Sequence, residues 1–121
     1  MKSLLFVMAL FALHGCTSAA GFVPVKMTAQ DEEVQRAALM RSLKDPSSAQ
    51  VEDVRVYQNP KGARMICSKV NGRNSFGGYA GFQVLTVQTA PGIDYSKPFM
   101  RPATSLGGLA SIDCAGAGYP V

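Results

Sequence analysis

Three cysteines constrain this chain more than any other residues, because their position relative to an N-terminal export signal decides how many remain to shape the fold. Lys2 is followed by an unbroken apolar run of ten residues, Leu4 to Leu13, which His14, Gly15 and Cys16 close. That run is about half the length a helix needs to cross a bilayer, so it reads as a cleaved signal rather than a transmembrane anchor. Leu13 and Gly15 ahead of Cys16 match a lipobox, where a lipoprotein signal peptidase cuts before the cysteine and the cysteine carries the lipid. His14 is bulkier than the small residue usual there, and Ser18, Ala19 and Ala20 offer an ordinary signal-peptidase cut after Ala20 as the second reading. Either cut leaves Cys67 and Cys114, and in an oxidising periplasm two otherwise unassigned cysteines pair. Closing a loop of that length restrains the unfolded chain by about 4 kcal/mol.

The expected organisation is therefore a lipoprotein signal peptide over residues 1–15, a tether over 16–27 and one small domain over 28–121. Its expected location is the bacterial cell envelope, lipid-anchored, with the outer membrane as the surface from which it faces the periplasm. The compartment also changes the meaning of charge. A formal charge of +4, from 12 basic and 8 acidic residues, would suggest nucleic acid for a cytosolic chain. An exported chain rarely meets nucleic acid, so no such partner is expected. The membrane, through the lipid anchor, and a protein or cell-wall partner fit better.

Along the chain, Thr28 and Asp31 form an approximate capping box before an acidic first turn, Asp31, Glu32 and Glu33. Arg41 and Lys44 lie in the last turn, an order that complements the helix dipole. These signals predict a helix from about Ala29 to Lys44, with Val34, Ala37, Ala38, Met40 and Leu43 as its apolar sector. Pro46 restricts Asp45 to extended geometry and ends it, and Asp45 then reads as the cap of a following turn through Ala49. Val54 and Val56 alternate with polar neighbours, as in a half-buried strand. Asn59, Pro60, Lys61 and Gly62 signal a turn, Arg64 to Val70 a second strand, and Phe82 to Thr89 the clearest strand. Beyond Ala90, Pro and Gly punctuation predicts irregular chain with one short strand at about Leu109 to Cys114. The expected fold class is α+β, one N-terminal helix on a three- or four-stranded antiparallel sheet, with a Cys67–Cys114 disulfide.

Residues 71–82 concentrate four glycines, two asparagines and three aromatics. Glycine permits positive φ, and asparagine bonds its own backbone in turns. Arg73, Asn74, Phe76, Tyr79 and Phe82 are the candidate binding residues, offering flat aromatic surface beside a cation. The alternative is that the aromatics fold back as core plugs and the glycines only shape a connection.

The string Lys44, Asp45, Pro46, Ser47, Ser48, Ala49, then Cys67, then Val70, Asn71, Asn74, Ser75, Phe76, Gly77, Gly78, Tyr79, Gly81 and Phe82 resembles a family of short exported bacterial and phage proteins. Their pattern runs approximately KDPxSA, then C, then VNxxNSFGGYxGF. The likeness covers about residues 36–85 and departs at Val51, where phenylalanine is usual, and at Gly72, where a non-glycine residue is usual. It implies a shared small domain and no particular chemistry.

Catalytic groups are sparse. His14 is the only histidine and leaves with the signal, which removes Ser-His-Asp and Cys-His arrangements. Two cysteines committed to each other leave no zinc ligand set, and no phosphate-binding glycine pattern is present. Glu52 with Asp53, or Asp94 with Asp113, are the paired carboxylates considered for acid–base work, but strand neighbours such as Glu52 and Asp53 point to opposite faces. No catalytic residue, metal or cofactor is expected. The leading functional expectation is a non-enzymatic envelope lipoprotein binding a wall component or an envelope protein. An inhibitor or exclusion factor against an exported enzyme or phage is the second, and a structural component of an envelope assembly the third.

Overall fold

Residues 21–121 are described by the computed structural model, so the signal over 1–15, lipidation at Cys16 and the cut after Ala20 lie outside the described residues. Seven elements follow in order: β1 (Val23–Val25), α1 (Ala29–Ser42), β2 (Asp45–Gln58), β3 (Arg64–Arg73), β4 (Gln83–Thr89), β5 (Ala103–Leu106) and α2 (Gly108–Gly116). The strands form one sheet in the order β1-β2-β3-β4-β5, and every neighbouring pair is antiparallel. The α+β class and the disulfide stand, with five strands and two helices in place of three or four strands and one helix.

The sheet is covered on both faces, which explains the near-continuous apolar run of its central strands. Ile66 and Val70 of β3 and Leu85 and Val87 of β4 pack with Val34 and Ala38 of α1. The alternate residues Met65, Cys67 and Val84 pack with Ala110 and Cys114 of α2. Period-two alternation thus divides two apolar sets between two helices. The Cys67–Cys114 disulfide fastens α2 to β3.

The start of α1 follows its sequence signals. Thr28 Oγ1 accepts from Asp31 N at 3.2 Å, and Asp31 Oδ2 accepts from Thr28 N at 2.8 Å, completing the capping box. Asp31 does more than cap, since Arg64 of β3 donates to both of its oxygens, at 2.9 and 2.7 Å. Burial pushes this carboxyl upward, and the bonds from Arg64 and Thr28 outweigh that, holding it below its ordinary range. The apolar sector is narrower than expected: Val34 and Ala38 are buried, Leu39 packs against the core, and Ala37 and Met40 are exposed. The helix ends at Ser42 rather than Lys44.

Three further expectations are corrected. Residues 109–114 are helical, not a strand: Ala110 and Cys114, four apart, reach the same sheet face, as one turn of helix requires. Asp45 to Ala49 belong to β2 rather than to a capped turn, because Asp45 pairs with Arg73 across the sheet. Val54 does not share a buried face with Val56, because the register slips by one residue between Glu52 and Arg55, where Asp53 takes φ +48°. In addition, β1 draws Val23–Val25 from the segment expected to be tether.

The bulge at Asp53 receives the end of the chain. Tyr119 is buried against the α2 cluster, and its hydroxyl donates to Asp53 O at 2.7 Å. Arg55 and Lys69 flank its ring, with charged groups 5.8 and 5.9 Å from the centroid. Burial, aided by Asp53 and opposed by Arg55, pushes the phenol up to about 12.

Candidate functional site

The 71–82 segment is a hairpin extension of β3, and asparagine chemistry builds it. Asn74 Oδ1 accepts from Phe76 N at 3.0 Å and Gly78 N at 3.2 Å. Asn74 N donates to Gly78 O at 2.7 Å, and Gly77 N donates to Asn74 O at 3.1 Å. A turn over residues 74–77 results, and its last residue, Gly77, is left-handed at φ +82°. No heavy atom would lie within 4 Å of a Cβ there, so glycine is needed for its φ alone. At the base, Gly81 N donates to Asn71 Oδ1 at 3.0 Å, and Arg73 bridges Tyr79.

The hairpin is then fixed to the first residues of β2. Ser48 Oγ donates to Asp45 O at 2.7 Å and accepts from Arg73 N at 2.9 Å, while Ser48 O accepts from the Tyr79 hydroxyl at 3.3 Å. Lys44 Nζ donates to Ser75 Oγ at 3.1 Å, and Asn71 Nδ2 to Gln50 Oε1 at 3.3 Å. The two sequence motifs, around 44–49 and 70–82, therefore meet in one lobe. Gly72 lies beneath Leu43, whose methyl carbons would come within 3.3 Å of a Cβ at that position, so the glycine lets the helix end settle on the hairpin.

The candidate residues divide by role. Asn74 is spent on the turn. Arg73 lies over the Tyr79 ring at 5.6 Å from its centroid, a cation–π contact that covers one ring face. Tyr79 is 43% exposed and held by Ser48, and Phe82 is 45% exposed at the hairpin base. Phe76 alone stands free at the tip, 96% exposed. It is no core plug. Ser48, Lys44 and Gln50 were not among the candidate residues; the signal for Ser48 and Lys44 was the recurrence of the 44–49 motif beside the 70–82 motif in one pattern, and Gln50, just beyond it, had none.

Three of the four carboxylates considered as pairs have other partners. Asp53 pairs with Arg55 at 2.8 Å, Asp94 accepts from Ser96 N and Oγ, and Asp113 accepts from Gln88 Nε2 at 3.4 Å. Among the described residues, no three His, Cys, Asp or Glu side chains gather as a metal site, and no helix is long and apolar enough to cross a membrane. A groove of about 1100 Å³ runs between α1 and residues 94–102. None of the five candidate binding residues lines it. Comparisons with protein-family models, curated proteins and solved structures find no match for this chain.

Proposed function

We propose that this is a small envelope lipoprotein that works as a non-enzymatic binding module, with Phe76 as its contact residue. The observation that carries the reading is an almost fully exposed phenylalanine on a turn whose backbone is bonded on both sides of it. An exposed ring on a flexible loop would lose entropy on binding; a ring on a pre-shaped turn loses less.

The position of the ring supports the same reading. Gly21, where the chain enters the domain, lies against Pro60 in the β2–β3 turn. Phe76 sits at the other end of the strands, beyond Arg73, which pairs with Asp45. About 35 Å of strand separates the two ends. A chain tethered at Cys16 would hold Phe76 away from the anchoring membrane and toward the wall and the proteins around it.

The test compares the parent protein with Phe76→Ala for co-sedimentation with isolated peptidoglycan sacculi and for photo-crosslinking in intact envelopes from a photoreactive residue at the neighbouring exposed position 75. Loss of sacculus binding, or of one defined crosslinked product, on alanine substitution supports the reading. Unchanged capture in both assays overturns it.

A further inference from the structure

The two edges of the sheet differ. On one side β1 has only three residues and contains Pro24, and β2 beyond it carries two register shifts with exposed Glu52, Asp53 and Arg55. Short strands, proline, bulges and charge are the features that keep an edge from pairing with another chain. At the other edge β5 reads Ala-Thr-Ser-Leu, with no charge, no proline and an unbroken register from Leu85↔Leu106 to Gln88↔Ala103.

The free groups of that edge are identifiable. Gly107 N donates to Val84 O at 2.9 Å, so by the alternation of an antiparallel ladder Ser105 and Ala103 bond to β4. Thr104 and Leu106 then turn their N–H and C=O groups outward. No other strand among the described residues pairs with them. Thr104 and Leu106 lie opposite Val87 and Leu85 on the α1 face, and Ser105 lies opposite Thr86 on the α2 face.

We propose that β5 pairs with β5 of a second copy of this chain across a two-fold axis at Ser105, joining two five-stranded sheets into one. The axis stands perpendicular to the sheet, so opposed residues must share a face. Centring on Ser105 sets Thr104 against Leu106 of the other copy twice, and all of their outward groups find partners. Centring on Thr104 instead sets Leu106 against Pro102, which has no N–H to give.

The flanking side chains suit the same arrangement. Leu109 and Ile112 of α2 are 72% and 69% exposed, and Leu106 is 38% exposed. Cys114 reaches β3 and Asp113 reaches Gln88 on β4, so the sheet passes beneath α2 toward β5 on the Asp113 side. Leu109, one turn before Asp113, lies on that side. In the pair, the two Leu109 side chains approach over the small Ser105 residues, while Leu106 meets the Thr104 methyl on the opposite face. The occupant is a second copy because the strip is its own complement: neutral, smallest at the axis and apolar on both flanks. Four strand residues and three apolar side chains per copy fall short of the roughly 1,200 Å² of a standard interface. The pair is therefore weak in dilute solution and has to be trapped.

Ser105→Cys in the full chain provides the trap. Facing residues of a non-hydrogen-bonded antiparallel pair have Cα atoms about 4.5 Å apart, within disulfide reach. Cys67 and Cys114 are buried and already joined. The expected result is a disulfide-linked dimer forming at least about tenfold faster than with Ser47→Cys, an exposed control, because pairing raises the local thiol concentration toward millimolar. Adding Leu109→Asp places like charges beside the axis and should abolish that advantage, with the fold checked by circular dichroism. Equal rates for the two cysteines overturn the proposal, as does an advantage that Leu109→Asp leaves intact. Exclusive crosslinking of position 105 to a different protein overturns it in favour of a foreign strand.

Discussion

Asp31, in the first turn of α1, and Arg64, at the start of β3, form a two-bond ion pair 33 residues apart in sequence. Asp31 is only 2% exposed. Arg64 also donates to Lys26 O at 2.9 Å, so one guanidinium ties the β1–α1 connection, the helix and the sheet together.

Asp31→Asn should destabilise the protein by about 3 kcal/mol, the lower end of the range for a broken buried pair because Arg64 is partly hydrated. Chemical denaturation at neutral pH measures it. The folded carboxyl titrates below its ordinary 3.8, so the stability it contributes is complete above that value and is lost as pH falls through the folded pKa. The parent should therefore lose stability in acid, while Asp31→Asn lacks that component.

Tyr119 has the opposite sign. Its phenol titrates at 10.0 when free and at about 12 in the fold. Folding favours the neutral phenol, so its contribution is complete below pH 10 and declines as pH rises through about 12. Tyr119 should ionise late in an ultraviolet titration, and Tyr119→Phe should remove that step. The same variant should cost about 1 kcal/mol near neutrality by leaving Asp53 O without its donor.

Phe76→Ala and Asn74→Ala should separate presentation from construction. Removing an exposed ring should change stability by less than about 0.5 kcal/mol. Removing the Asn74 side chain strips the acceptor for two backbone amides and should cost about 1 kcal/mol. Hydrogen exchange at Phe76 and Gly78 should accelerate in Asn74→Ala and stay unchanged in Phe76→Ala.

Ser68 is fully buried in β3, and its hydroxyl has no hydrogen-bond partner among the described residues. Ser68→Ala should raise stability by about 1 kcal/mol, because it removes an uncompensated polar burial for a small loss of volume. A rise in the thermal midpoint checks it.

Local signals were legible in the sequence wherever local bonds decide the structure. The Thr28 capping box is closed within four residues, and the turn at 59–62 is fixed by Asn59 Oδ1, which accepts from Lys61 N and Ala63 N. Strands β3 and β4 announced themselves by composition because both of their faces are buried. What distant partners decide was not legible. Pro46 bars the helix from continuing, but α1 already ends at Ser42, and Arg73, a long way along the chain, draws the residues from Asp45 onward into β2. Pro24 argues against a strand by itself, and β1 forms because its edge position needs no N–H there. Leu109 to Cys114 fit a short strand or a helix equally by apolar content. The Cys67 bond and the i, i+4 placement of Ala110 select the helix. Within the candidate site, the glycines and Asn74 revealed the turn, while Ser48 was signalled only by the 44–49 motif standing beside the 70–82 motif, and its bonds exist only once the two meet.

A short, weakly capped helix holds the one disulfide among the described residues. α2 has nine residues, Gly107 caps it without a side-chain bond, and no basic residue lies in its last turn, so alone it would not persist in water. Until Cys114 joins Cys67, one face of the central strands has a lid that opens easily, with Met65 and Val84 beneath it. Reducing that bond should therefore loosen α2 first and open the face over Met65 and Val84 while α1 still covers the other.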